Sequence, residues 1–225
     1  MMLRIFLFAF VSLFALRATA QEFTTEADSD PKAKAVLDKL RNKYEAFKTL
    51  EADFSLEIEI PEQPVEVQKG HLIQQGNKYR LKLKDRTMVS DGESVWLYLP
   101  KHQEVQINNA EEEPEEGVFN SPKDLLAAYQ WKNHVYVLTA EFTENGRLIQ
   151  QIEFKPISRY ADYSKVRLTI DKKTNDIVRI KTFNKDGSRF TLKVDKITGN
   201  KSYPASTFTF SKAECPDCHW EDLRI

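Results

Sequence analysis

From Ala52 to Phe210 apolar and polar residues alternate almost one by one, and this period of two restricts the chain to strands, whose successive side chains point to opposite faces. In "ADFSLEIEIP" Phe54, Leu56, Ile58 and Ile60 alternate with Ser55, Glu57 and Glu59, so one face is apolar and the other charged. "VEVQKGHLIQQ" and "YRLKLKD" extend the pattern through Val65, Val67 and Leu72, then Tyr79, Leu81 and Leu83. "RTMVSDGESVWLYLP" reads as a hairpin turned by Ser90-Asp91-Gly92. Past the acidic loop "NNAEEEPEEGVFNSP" the alternation resumes in "HVYVLTAEF", "RLIQQIEFKP", "KVRLTID", "DIVRIKTFN", "RFTLKVDKI" and "STFTF". Short turns make sequence neighbours antiparallel. A sheet of about ten strands with one apolar face curls into an incomplete or complete barrel.

Two helices are expected to close the concave side. "DSDPKAKAVLDKLRNKYEAFKTL" supplies Asp30 as N-cap, Pro31 at the first helical position, and an apolar stripe of Val36, Leu40, Tyr44 and Phe47. The shorter "SPKDLLAAY" repeats the pattern with Ser121 as cap and Pro122 after it.

The N-terminus points to export. Arg4 precedes the apolar run "IFLFAFVSLFAL", and Ala18-Thr19-Ala20 is a small-residue cleavage site, so residues 1–20 read as a removed signal peptide. The run is about twelve residues, short of the roughly 20 that span a bilayer. Neither cysteine stands at the cleavage point, so no lipid anchor is expected there. Residues 21–225 read as one domain, with the acidic stretch a loop inside it. The chain holds 33 Lys and Arg against 34 Asp and Glu; residues 1–20 contain Arg4, Arg17 and no acid, which leaves 31 against 34 and a net charge of −3. That balance argues against a nucleic-acid partner.

Catalysis has no evident seat. There is no G-x-S-x-G, no H-E-x-x-H and no Gly-rich phosphate loop, and His71, His102 and His134 are scattered singly. No catalytic residue, metal or cofactor is expected. "CPDCH", Cys215 to His219, has the spacing of covalent haem attachment. Yet it trails a β-domain, and no Met follows to serve as a second axial ligand. A thioredoxin-like role needs a long helix after the second Cys, and a zinc site needs a fourth ligand that only Glu214, Asp217 or Asp222 offers. A local Cys215–Cys218 disulfide is the expectation in an oxidising compartment; metal-bound or free thiols and a haem or redox protein are the alternatives.

The layout as a whole resembles the LolA family of periplasmic outer-membrane lipoprotein carriers. The resemblance runs from "FKTLEADFSLEIE" through "KGHLIQQGNKYRLKL", "MVSDGESVWLYLPKHQEV" and "SPKDLLAAY" to the closing "FTF", and its most specific piece is Ser90, Asp91, Gly92, Trp96, Tyr98 and Pro100. "EDLRI" resembles the tail of members from Bacteroidetes. The resemblance implies a mainly β, α+β fold: a curled antiparallel sheet forming an unclosed β-barrel, with a helical lid over an apolar cavity. It implies a monomeric, non-enzymatic periplasmic carrier of acylated lipoproteins, loaded by an inner-membrane lipoprotein-releasing ABC transporter and unloaded at the outer membrane, in some bacteria through a receptor. By position it implies lipid contacts at Tyr79, Leu81 and Leu83 and a lid at Leu125 and Leu126; Phe54, Leu56, Ile58, Leu72, Trp96 and Tyr98 on the neighbouring strands are the further candidate lipid contacts. Where proteobacterial members carry an Arg-Pro pair that latches the lid, this chain has Gln75-Gly76. A lipid or lipoprotein sensor on the same half-barrel is the alternative function.

Overall fold

The computed structural model describes residues 25–110 and 133–224. Helix α1 (Pro31–Glu45) starts where Asp30 Oδ1 accepts the Lys32 N–H at 2.8 Å. The same residue ties the helix to the sheet: Asp30 Oδ2 accepts the Leu138 N–H at 3.2 Å, and the Asp30 N–H donates to the Tyr136 carbonyl at 2.9 Å. At the other end the Ile177 N–H donates to the Tyr44 hydroxyl at 3.1 Å. Val36, Leu40 and Tyr44 are buried as the spacing requires, joined by Ala33 and Leu37. Phe47 lies beyond the helix, its ring seated over Gly199, where an added Cβ would come within 2.3 Å of the ring.

The first six strands form a meander: β1 (Leu50–Glu59), β2 (Glu66–Gln75), β3 (Lys78–Lys82), β4 (Thr87–Ser90), β5 (Ser94–Leu99) and β6 (Glu104–Asn109). A second meander follows: β7 (His134–Glu144), β8 (Arg147–Pro156), β9 (Tyr163–Asp171), β10 (Asp176–Asn184) and β11 (Arg189–Gly199). Antiparallel pairing of β1 with β11, from Leu50 opposite Gly199 to Glu59 opposite Arg189, welds the two. A short β12 (His219–Asp222) adds itself parallel to β6. The result is one sheet of twelve strands in the order β12-β6-β5-β4-β3-β2-β1-β11-β10-β9-β8-β7, with its two edge strands unpaired to each other.

Directly opposed residues share a face, so the pairings define the inner surface. One row runs Ala52, Leu72, Leu81, Met88 and Leu97 across β1 to β5. Another runs Leu56, Leu192, Ile180, Leu168 and Ile152 from β1 to β8. Most of these side chains and the buried stripe of α1 make one hydrophobic core.

Three expectations are corrected. "STFTF" is not a strand: Ala205–Phe208 is a 3-10 turn after Pro204, and Phe208 is buried. Val65 and Val67 do not share the inward face with Leu72, because an odd spacing separates them; Gln68 and Leu72 point in, and both valines are exposed. Strands β6 and β12 have no counterpart among the expected strands. The expected helix at 121–129 lies outside the described residues.

Gly70 faces Phe54 across β1 and β2, and an added Cβ would sit 2.2 Å from Phe54 Cζ and 2.9 Å from Leu83 Cδ2. The bare glycine lets the ring lie flat on the sheet. Gly70→Ala is expected to cost about 1–3 kcal/mol by overpacking. In combination with Phe54→Leu the loss should be smaller than the sum of the two single losses, measured by denaturant unfolding.

Candidate functional site

The inner face grades from sealed to open along a single strand. On β1, Leu50, Ala52 and Phe54 are buried, Leu56 and Ile58 are half-buried, and Ile60, just past the strand end, is exposed. The gradient follows from where α1 lies. The helix runs from β7 at Tyr136 and Leu138 to the start of β10 at Ile177, so Phe47, Tyr44 and Leu50 plug the end at which β1 begins. Toward the end at which β1 finishes, Leu56, Ile58 and Phe190 remain half-buried; so do Leu83, beside Gly70 and Phe54, and Met88, level with Ala52 but three strands away on β4.

The nominated residues that the structure describes therefore separate into three groups. Phe54, Leu72, Tyr79 and Leu81 are floor: all four are buried members of the core. Leu56, Ile58 and Leu83 form the open part of the inner face. Trp96 and Tyr98 are corrected to the opposite side of the sheet. They alternate with the inward Leu97 on β5, lie opposite Val89 and Val105, and pack in a second cluster with Phe210, Cys215, Cys218 and Trp220. Leu125 and Leu126 lie outside the described residues. Sequence reasoning missed Met88, half-buried opposite Leu81, and Phe190, half-buried opposite Ile58. The strand pattern "RFTLKV" was the signal for Phe190; for Met88 the signal was only its place two residues before Ser90.

The second cluster explains the tail. Arg80, outward on β3, donates from Nε and Nη2 to the Thr207 and Thr209 carbonyls at 2.7 Å each, and from Nη1 to Glu214 at 2.9 Å. Thus held, the tail lays Phe210 against Tyr98 at 5.3 Å between ring centres and against Trp220 at 5.8 Å. Cys215 and Cys218 are bonded to each other, and the Trp220 indole N–H donates to the Cys215 carbonyl at 3.4 Å. Both sulfurs are thereby committed within a cover over Val89 and Val105.

Elsewhere the outer face is an ion-pair lattice. Lys165, Arg167, Lys181 and Arg189 surround the Phe183 ring at 5.0–5.8 Å, and they pair with Glu153 and Glu59. Burial pushes the Glu153 carboxyl up, but hydrogen bonds from Arg167 and Lys165 outweigh it and hold it below the ordinary carboxylate range. A hydrogen bond from Lys181 lowers Glu59, and bonds from Lys201 and Tyr203 lower Glu51.

Such a molecule is an unclosed half-barrel with an apolar inner face and a charged or covered outer one. The profile of the family described as "Outer membrane lipoprotein carrier protein LolA" matches residues 45–211, and the chain belongs to that family. Among solved structures, an uncharacterized conserved protein from Thermus thermophilus shares the fold at 13% identity, with a TM-score of 0.55 over 86% of this chain and 99% of that one. A LolA superfamily protein from Nitrosomonas europaea is 13% identical with a TM-score of 0.44, covering 79% of this chain and 97% of its own. The Mycobacterium tuberculosis lipoprotein LppX is 11% identical with a TM-score of 0.45, covering 79% and 100%. No curated protein matches the sequence. No helix among the described residues is long and apolar enough to cross a membrane.

Two outcomes test this geometry. Depressed carboxylates contribute stability that is present above their ordinary range and lost as pH falls through the lowered values. The thermal midpoint should therefore hold from neutrality to about pH 5 and decline below about pH 4. The double change Cys215→Ser with Cys218→Ser should lower unfolding free energy by no more than about 3 kcal/mol, since the closed loop is short, and should leave binding of a hydrophobic probe intact.

Proposed function

We propose that this chain is a periplasmic carrier that ferries acylated lipoproteins from the inner to the outer membrane, with their acyl chains lying on the open part of the inner face. The observation that carries the reading is the graded β1 face in a member of the lipoprotein-carrier family: apolar from Phe54 to Ile60, yet only half-covered at Leu56 and Ile58. A face packed for stability alone would bury those side chains. One left half-exposed gains about 0.8 kcal/mol for each acyl methylene that replaces water on it. Cargo is held by area, with no charged group required, so its release does not depend on breaking a salt bridge.

In this reading Leu56, Ile58, Leu83 and Met88 touch lipid, while Phe54, Leu72, Tyr79 and Leu81 support them from beneath. Leu125 and Leu126 are assigned to the lid. Residues 1–20 direct export and are removed, and residues 21–225 act as a monomer. An inner-membrane lipoprotein-releasing ABC transporter loads the carrier, and an acceptor at the outer membrane unloads it.

Native mass spectrometry of the protein purified from its own compartment should show a chain beginning at Gln21 with acylated polypeptide bound. Free lipopolysaccharide as the sole ligand would instead support the sensor. Leu56→Glu and Leu83→Glu should each abolish binding of a hydrophobic fluorescent probe with the far-ultraviolet circular dichroism unchanged, because a carboxylate at a half-open position stays hydrated. Leu72→Glu and Leu81→Glu should unfold the protein. Undiminished probe binding in both Leu56→Glu and Leu83→Glu would place the cargo elsewhere.

A further inference from the structure

Among the described residues, the inner face carries a buried threonine whose hydroxyl makes no hydrogen bond. Thr182 on β10 stands opposite Phe190 on β11 and Val166 on β9, and Phe190 in turn stands opposite Ile58 on β1. The row Ile58, Phe190, Thr182, Val166 and Phe154 is thus apolar on both sides of the threonine. Thr182 is 4% exposed, and its Oγ1 is buried without a hydrogen-bond partner. Thr169 and Thr191 share that property, but they lie on the outer face among the Lys and Arg side chains, opposite Gln151 and Arg179 and opposite Lys181 and Glu57. Of the three, only Thr182 looks inward.

Valine has the same shape and would fill this place without leaving a donor unsatisfied, an arrangement that is costly in a dry surrounding. The height of Thr182 in the barrel suggests what would satisfy it. It is level with Ile58, the last half-buried residue of the β1 track before exposed Ile60. An acyl chain lying with its methyl end toward Phe54 has its carbonyl end toward that rim. Of the polar atoms of an acylated ligand, the carbonyl nearest the chain enters the apolar face first, and it is an acceptor that needs one donor.

We propose that Thr182 is a lipid-binding residue whose hydroxyl donates a hydrogen bond to the ester carbonyl of a bound acyl chain, fixing how deep the chain sits. The half-buried Phe190 ring, between Thr182 and Ile58, is the side chain that shifts to admit the carbonyl. This inference rests on the reading of the inner face as the cargo site, and it adds a chemical preference that an apolar surface by itself lacks: ester over ether at equal chain length.

The test is Thr182→Val, with displacement of a hydrophobic fluorescent probe by 1-palmitoylglycerol and by its ether counterpart 1-hexadecylglycerol, which has the same chain and no carbonyl. The native chain should bind the ester more tightly. Thr182→Val should lower ester affinity about fivefold, the size of one neutral hydrogen bond. Ether affinity should be unchanged, and the unfolding midpoint equal to or above that of the native chain. Thr182→Ser, which keeps the hydroxyl, should retain the ester preference. Equal loss for both lipids in Thr182→Val, or no loss for either, overturns the proposal while leaving the carrier reading intact. Failure of the native chain to bind either lipid overturns both.

Discussion

Everything in this molecule hangs on the pairing of β1 with β11. Each of the other antiparallel pairings joins strands adjacent in sequence, so local turns bring them together; this one joins Leu50–Glu59 to Arg189–Gly199 across all the chain that holds β2 to β10. Such a contact bears the loop-closure entropy of the chain between, and the structure reinforces it from both faces. Inside, Leu56 meets Leu192 and Ile58 meets Phe190, and Phe47 caps the seam over Gly199. Outside, Glu57 pairs with Lys193, Glu59 with Lys181 and Arg189, and Glu51 with Lys201. Past the strand end, the Asn200 N–H donates to the Thr49 carbonyl at 2.8 Å and the Lys48 N–H to Asn200 Oδ1 at 2.9 Å. The open part of the inner face straddles this seam, so the element that completes the sheet also carries the candidate site.

Much of this was legible in the period of two. Where one face is apolar and the other charged, as in "DFSLEIEI", alternation fixes which side chains turn inward, and β1, β3 and α1 behave accordingly. The signal loses its direction when both faces are apolar. "SVWLYL" offers Val95 and Leu97 on one side and Trp96 and Tyr98 on the other, and nothing local says which is inside. The answer lies more than a hundred residues away, in the tail that brings Phe210 and Trp220 to cover the outer pair. The same distance hid β12, since "HWED" has no strand-like period and pairs only because the tail is delivered to the β6 edge.

The open part of the site was less legible than its floor for a physical reason. Leu72 and Leu56 look alike in sequence, each an apolar residue on an alternating strand. Leu72 lies in the core that also takes in the stripe of α1, whereas Leu56 packs only partly against it, where α1, held by Asp30 at β7 and by Tyr44 at β10, leaves the end of β1 open. Coverage is a property of the helix path, and a strand's own residues do not encode it.

On the carrier reading proposed above, that path sets the balance between holding cargo and standing alone. Apolar area buried by α1 contributes to folding and is then no longer available to a ligand; area left at Leu56, Ile58 and Leu83 does the reverse, since it strengthens the fold only when something apolar is bound. A helix shifted toward the far end of β1 would give a tighter empty protein with less surface to offer. A shorter one would uncover side chains of the core it shares with the sheet and weaken that core. The plug of Tyr44, Phe47 and Leu50 at one end, together with a half-covered face at the other, is the arrangement in which the chain keeps a core of its own and still leaves apolar area for the proposed acyl ligand to cover.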